Sequence, residues 1–254
     1  MTFSYAWRLV MRNPQRTATY LFGLALAVGL FSGILFFVDV MAREMTATAL
    51  APIKLDIIAH ATAPTVDAGA AAPVIAQQRG IAAAEAVTAA DFASAVKVGG
   101  THPSPAGRMF ALQPSYFQTF DLLQISDGQF DPQGVMVSEA MAIAQGIQVG
   151  DALQLTFAGV AQPVTLPVAG IVNLDNADVL FTTATEAENA LVADVVFVDS
   201  GWFQQQLQAP LAAQAANLQA TPPPGSAVLD PQVHVRIDRS LLPDARKVFA
   251  EDME

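Results

Sequence analysis

Hydrophobic and polar positions change their rhythm twice along this chain of 254 residues. Phe3, Ala6, Trp7, Val10 and Met11 fall at i, i+3, i+4, i+7 and i+8, the spacing of one helical face, while Arg8 and Arg12 sit four apart on another. Pro14 ends that pattern, because it lacks a backbone N–H and biases Asn13 away from helix. From Thr17 to Val38 no side chain is charged, and Tyr20 to Val38 is almost wholly Leu, Phe, Ala, Gly, Val and Ile. About 20 apolar residues, at about 1.5 Å each, cross the hydrocarbon core of a bilayer. The pattern therefore predicts a short amphipathic elbow helix on the membrane surface over 1–16 and a transmembrane helix over 17–40. A cleaved signal peptide fits less well, since its apolar core runs about 7–15 residues and ends in a small-x-small site.

Beyond residue 41 the period shortens. Lys54 to His60 alternates and predicts a strand, and the alanine-rich run Ile81 to Val96 predicts a helix. Val135 to Val137 reads as a short buried strand, with a helix from Ser138 that Gly146 terminates. After a turn at Gly150-Asp151, Leu153 to Phe157 alternates again. The stretch Ala152 to Leu174 carries no charge. Gln154, Gln162, Pro163, Pro167 and Asn173 interrupt it and its period is two, so it predicts two strands joined through Ala158 to Pro163, not a second span. Val195 to Val198 and Val233 to Ile237 are further strands, Ala209 to Ala220 is helical, and Thr221 to Gly225 forms a rigid connector before a charged helix over Leu241 to Met253. Strands and helices without a strict alternation give an α+β class.

Charge assigns the two parts to different surroundings. Residues 1–38 hold Arg8, Arg12 and Arg16 and no acid, which leaves nine basic and 23 acidic residues for the remainder. The basic flank places the N-terminus in the cytoplasm and the residue 41–254 domain outside it, since Arg43 and Glu44 cancel on the far side. An acidic body repels phosphate backbones, so nucleic acid is no partner. With no cysteine there is no disulfide, thiol chemistry or thiolate metal site. Within the apolar run, Ala25, Gly29 and Gly33 repeat every fourth residue, a stripe that lets a second membrane helix approach closely.

No catalytic or cofactor constellation emerges. The lysines Lys54, Lys97 and Lys247 follow no glycine, so there is no phosphate-binding loop. Asp175 with Asp178, and Glu186 with Glu188, are acidic pairs expected on a solvated surface. His60, His102 and His234 lack metal-ligand spacing, and the two on strands suit structural or surface roles. Ser138 stands at a strand-to-helix turn but lacks the flanking glycines of a nucleophile elbow, so a helix cap is its expected role.

Two stretches carry a family resemblance. The first is Ala6-Trp7-Arg8-Leu9-Val10-Met11-Arg12-Asn13-Pro14-Gln15-Arg16-Thr17, leading directly into the apolar run. The second is Val135-Met136-Val137-Ser138-Glu139, Gly146, Val149-Gly150-Asp151 and Val168-Ala169-Gly170-Ile171-Val172. Together they resemble permease subunits of MacB/FtsX-type ABC transporters, which include the lipoprotein-releasing permeases. The resemblance implies a transmembrane helix followed by an extracytoplasmic MacB-like core domain. It implies a non-catalytic membrane subunit whose ATP-binding cassette ATPase is a separate partner, with a second permease copy or paralogue and a periplasmic adaptor or substrate carrier beside it. The implied work is ATP-driven movement of the outer domain for export or extraction of lipid, lipoprotein, peptide or drug. Ala25, Gly29 and Gly33 would then pack membrane helices, and Trp7, Arg8, Arg12 and Arg16 would touch lipid at the cytoplasmic surface. Such permeases have three further spans after the outer domain, so the chain resembles the N-terminal half of one. The alternative is a single-pass anchored periplasmic binding or sensor module, which needs no glycine stripe.

Overall fold

The computed structural model describes residues 14–50, 53–62, 66–104, 106–158, 160–174, 177, 194–217 and 229–239. The elbow helix with Trp7, Arg8 and Arg12, the acidic residues Asp175, Asp178, Glu186 and Glu188, the Thr221–Gly225 connector and the Leu241–Met253 helix lie outside those residues. The chain divides into two compact units, Met1–Pro52 and Ile53–Glu254.

The first unit is built on helix α1 (Pro14–Leu50, 37 residues). Pro14 occupies its first position, where a missing N–H breaks no helical bond. The stretch Gln15–Met45 is long and apolar enough to cross a membrane. Its large side chains are exposed all round, Phe22 at 70% and Phe36 at 71%. Charge returns where the sequence analysis ends the span: Arg43 pairs with Asp39 at 3.0 Å, one turn away. The helix continues to Leu50, ten residues past the expected end of the span.

The second unit is a ten-stranded mixed sheet. Its elements are β1 (Ile57–His60), α2 (Ala68–Ala76), β2 (Ile81–Phe92), β3 (Ser94–Lys97), β4 (Gly107–Leu112), α3 (Tyr116–Phe120), β5 (Gln124–Gly128), β6 (Val135–Ser138), α4 (Glu139–Gln145), β7 (Ala152–Thr156) and β8 (Val164–Asn173). They are followed by β9 (Asp194–Asp199), α5 (Ser200–Phe203), a π-helical turn (Gln204–Gln208), α6 (Ala209–Asn217) and β10 (Leu229–Ile237). The strand order is β1-β10-β2-β4-β9-β6-β8-β7-β3, with β5 also on β8. Only β4 with β9 and β6 with β8 run parallel among the described pairs.

Alternation along each strand divides the core between the two faces of the sheet. On one face Ala90, Met109, Val135, Val137, Val196 and Val198 pack against Met141, Phe203 and Leu211 from the helices. The opposite face carries Val87, Phe110, Met136, Val195 and Phe197 against Tyr116 and Phe120 of α3. Phe110 and Phe197 stack there with ring centres 6.0 Å apart.

One expectation is overturned. Ile81 to Val96 is not helical: it forms β2 and β3. Alanine's helix preference amounts to at most about 1 kcal/mol per residue, and burial between two neighbours outweighs it. β2 is hydrogen-bonded to β10 on one side and β4 on the other. Its small side chains also let a helix settle on the sheet. Ala68 and Ala72 of α2 pack with Ala84, Ala86, Val233 and Val235 in a third cluster.

Candidate functional site

Two regions hold the residues that sequence reasoning selected, and each lies within one unit. In the first, Ala25, Gly29 and Gly33 lie on the exposed surface of α1. A Cβ built on Gly29 or Gly33 meets nothing within 4 Å, so no described residue fills this stripe. Arg16 is exposed at the N-terminal end of the same helix.

The second region is the segment that follows the membrane helix in sequence, Ile53 to His60. Polar contacts fasten it along its length to the sheet domain. Lys54 meets Asp121 at 3.3 Å. Asp56 accepts from the backbone N–H of Ile237 at 2.9 Å, and the Arg239 guanidinium lies 3.4 Å from its other oxygen. Arg239 also donates to the Ile53 carbonyl. At the end of β1, His60 Nδ1 lies 3.0 and 3.2 Å from the two oxygens of Asp230.

Asp230 is 3% exposed and begins a buried polar row. Asp230, Gln232 and His234 alternate on β10, so all three side chains share one face. Gln232 Nε2 donates to Asp230 at 2.7 Å, His234 Nε2 lies 2.9 Å from Gln232 Oε1, and Tyr116 Oη lies 2.7 Å from His234 Nδ1. An amide oxygen only accepts, so His234 carries its proton on Nε2 and accepts a hydrogen bond from the Tyr116 hydroxyl at Nδ1. The row therefore runs in one direction, from phenol to carboxylate, through a neutral imidazole. Burial, reinforced by His60, pushes the His234 pKa down to about 3. Burial first and the Glu85 charge second push the Tyr116 phenol up. Arg108, whose Nε holds Asp91 at 2.7 Å, brings Nη1 within 3.9 Å of Asp230.

The sequence motif around residues 135–172 turns out to be architectural. Ser138 caps α4 by accepting from Met141 N at 3.3 Å, as its position predicts. Glu139 accepts from Asn173 at 3.1 Å, tying α4 to the end of β8. Gly146 ends α4 at φ 62° and Gly150 turns at φ 93°, both conformations that side chains resist. Asp151 accepts from Gln148 N at 2.7 Å and pairs with Lys97 at 2.6 Å, and Lys97 also donates to the Gly146 carbonyl at 2.9 Å. The Lys97 hydrogen bond, then that of Gln148, holds the Asp151 carboxyl below the usual range. At the start of β9, burial pushes the Asp194 carboxyl up, and Ser104 donates to it.

The sequence left His60 and His234 as structural or surface residues and did not single out Asp230 and Gln232, which join them. The available signal was the alternation Asp230, Gln232, His234. Pro231, which argues against a central strand, hid it. Pro231 is accommodated because its carbonyl still accepts from Ala61 N at 2.8 Å.

These features define a class: an apolar, membrane-length helix joined to a doubly packed α+β domain whose polar contacts fasten the first strand. Residues 17–237 match the family described as MacB-like periplasmic core domain, and the chain belongs to that family. The match runs from the apolar helix to the last residue of β10, the combination expected of a MacB/FtsX-type permease. No curated protein matches the chain. Among solved structures, a domain of a permease protein from Porphyromonas gingivalis is similar at 14% identity, with a TM-score of 0.44, over 80% of this chain and 83% of that one. A likeness of that order leaves the assignment resting on the family match.

Proposed function

We propose that this chain is the membrane-anchored permease portion of an ABC transporter, in which ATP hydrolysis by a separate cytoplasmic subunit moves the domain outside the membrane. The observation that carries the reading is the continuous family match from residue 17 to residue 237, which treats helix and domain as one unit. In this reading the charge-free stretch Thr17–Val38, about 33 Å long at 1.5 Å per residue, fills the hydrocarbon core of about 30 Å. The rest of α1 leaves the bilayer as helix. The N-terminus is cytoplasmic, and Trp7, Arg8, Arg12 and Arg16 rest on the inner leaflet. Ala25, Gly29 and Gly33 receive another membrane helix.

The contacts of Ile53 to His60 then gain a mechanical meaning. A displacement of α1 reaches the domain through the chain that leads to Ile57, and Ile53, Lys54 and Asp56 of it are hydrogen-bonded or ion-paired to Arg239, Asp121 and β10. Fastened this way, it passes motion to the sheet without peeling away. The cargo is export or extraction of lipid, lipoprotein, peptide or drug, with a periplasmic adaptor or carrier as outer partner.

The test is isolation of the tagged chain from its native membranes in mild detergent. An ATP-binding cassette subunit and vanadate-sensitive ATP hydrolysis are expected in the same complex. Recovery of the chain without any nucleotide-binding subunit would favour the anchored binding or sensor module, for which the separate compactness of Ile53–Glu254 is the supporting observation.

A further inference from the structure

We infer that the open groove between the start of β8 and the π-helical turn binds a neutral oligosaccharide, its hydroxyls on glutamine amides and Asp199 and a ring face on Trp202. The groove has a volume of about 500 Å³, within the range of ligand sites. Its lining comes from three places. Gln133 precedes β6, Thr165 and Pro167 belong to β8, and Asp199, Trp202, Gln205 and Gln206 lie at and after the end of β9.

The local structure leaves the polar groups of this lining unspent. α5 gives way after Phe203 to the π-helical turn Gln204–Gln208, a distortion that recurs at functional positions. Phe203 and Leu207 are buried in the core, while Gln205 and Gln206 stay exposed. Trp202 is half-buried: it packs against the core cluster that holds Phe203 and Leu207, and it still reaches the groove. Asp199 accepts from Trp202 N at 3.0 Å through Oδ1. Its Oδ2 has no partner among the described residues, and neither do the side-chain amides of Gln133, Gln205 and Gln206. A Cβ on Gly201 would stand 3.0 Å from Asp199 Oδ1, so the glycine leaves that carboxylate uncovered.

The lining selects the ligand class. Three primary amides each donate and accept, the Thr165 hydroxyl does both, and the carboxylate accepts. A hydroxyl is the ligand group that meets all of them, because it donates and accepts as well. Among the described residues no cation lines the groove, and Asp199 opposes negative charge, so an anion finds no seat. An extended peptide finds no ladder. Val168 bonds on the β7 side, so Thr165 turns to the groove, and two residues away on either side stand Pro163 and Pro167, which have no N–H. The apolar share of the lining, Trp202 with Pro167, suits the C–H face of a pyranose ring. The groove is open, and a saccharide keeps its outer hydroxyls in water there, whereas an apolar ligand would stay half-solvated. The site goes beyond the permease reading and needs no ATPase.

The chain has two tryptophans, Trp7 and Trp202, so the full chain carrying Trp7→Phe reports on the groove through the fluorescence of Trp202. It is held in a polyoxyethylene detergent, which has no sugar headgroup. The probes are cellotetraose and tetra-N-acetylchitotetraose, with sorbitol as a polyol that lacks the ring face. At least one sugar should shift the Trp202 emission saturably, with a dissociation constant of about 1 mM or tighter, and sorbitol should not. Preference for the second sugar would add an acetamido contact to the amides. The double variant Gln205→Leu/Gln206→Leu removes two exposed amides and should weaken binding by about tenfold. Gln133→Leu, on a separate element, should weaken it by about fivefold, and it decides if the double variant disturbs the circular dichroism of the domain. No saturable shift with either sugar, an equal response to sorbitol, or unchanged affinity in the deciding variant would overturn the inference. ATPase co-isolation is read separately on the unsubstituted chain, so failure of the groove and failure of the permease reading are distinguishable.

Discussion

The membrane helix and the sheet domain are both rich in small and apolar residues, yet they satisfy them in opposite ways. In α1 the large side chains are exposed among the described residues, Leu21 at 60% and Phe31 at 64%. In the sheet domain Phe110 and Phe197 are 1% exposed, enclosed by strands and by α3. The domain is therefore completed by its own sequence, whereas the helix is completed by what surrounds it. Substitutions in the domain should change its unfolding free energy. Substitutions in α1 should change association and leave that free energy alone.

The largest effect is expected at the aromatic pair. Phe197→Ala should destabilise the domain by about 4 kcal/mol, through lost burial and a residual cavity. Urea unfolding of the detergent-solubilised chain, followed by near-ultraviolet circular dichroism, measures it. An effect below about 1 kcal/mol would mean that this face is not the close-packed core described. Next is the fastening of β1. Asp230→Ala removes the carboxylate that faces His60, Gln232 and Arg108 and should cost about 3 kcal/mol, because partners of a buried carboxylate are left unpaired. Hydrogen exchange should also accelerate in Ile57–His60 before the rest of the sheet.

The pH response follows from His234. Its folded pKa, about 3, lies below the unfolded value near 6.5. Above that value both states are neutral and the residue adds no pH dependence. As pH falls below it the unfolded chain takes up a proton that the fold refuses. Stability should then decline by up to about 1.4 kcal/mol per pH unit until the folded pKa is reached. His234→Gln should flatten that part of the profile; an unchanged slope would place its origin elsewhere. The smallest effect belongs to Lys97 and Asp151, a surface pair. Lys97→Met should lower stability only slightly, and the loss should shrink in high salt. Gly33→Leu sharpens the comparison from the other side, because domain unfolding should be unchanged while recovery of membrane partners falls.

Much of this architecture was legible because it is written in local periodicity. The uncharged run Thr17 to Val38 has the length of a membrane helix and exceeds the core of a signal peptide, and Leu153 to Phe157 alternates as a strand does. Ser138 and Gly146 marked both ends of α4 through capping chemistry that depends on adjacent residues alone. The alanines of β2 were misleading because their strand conformation is imposed by β10, β4 and α2, none of which is local in sequence. For the same reason the polar row beneath β1 was half visible. His60 and Asp230 are 170 residues apart, and pairing across that distance leaves no mark on spacing.

The account stands on the domain lying across the membrane from the N-terminus, and the absence of native cysteine makes this directly measurable. Single-cysteine variants Thr101→Cys, exposed in the sheet domain, and Ser4→Cys, before the apolar run, are exposed to a membrane-impermeant maleimide in intact spheroplasts. Immediate labelling is expected at position 101, and labelling at position 4 only after the membrane is permeabilised. The reverse pattern, or equal labelling of both with the chain in the soluble fraction, would contradict it.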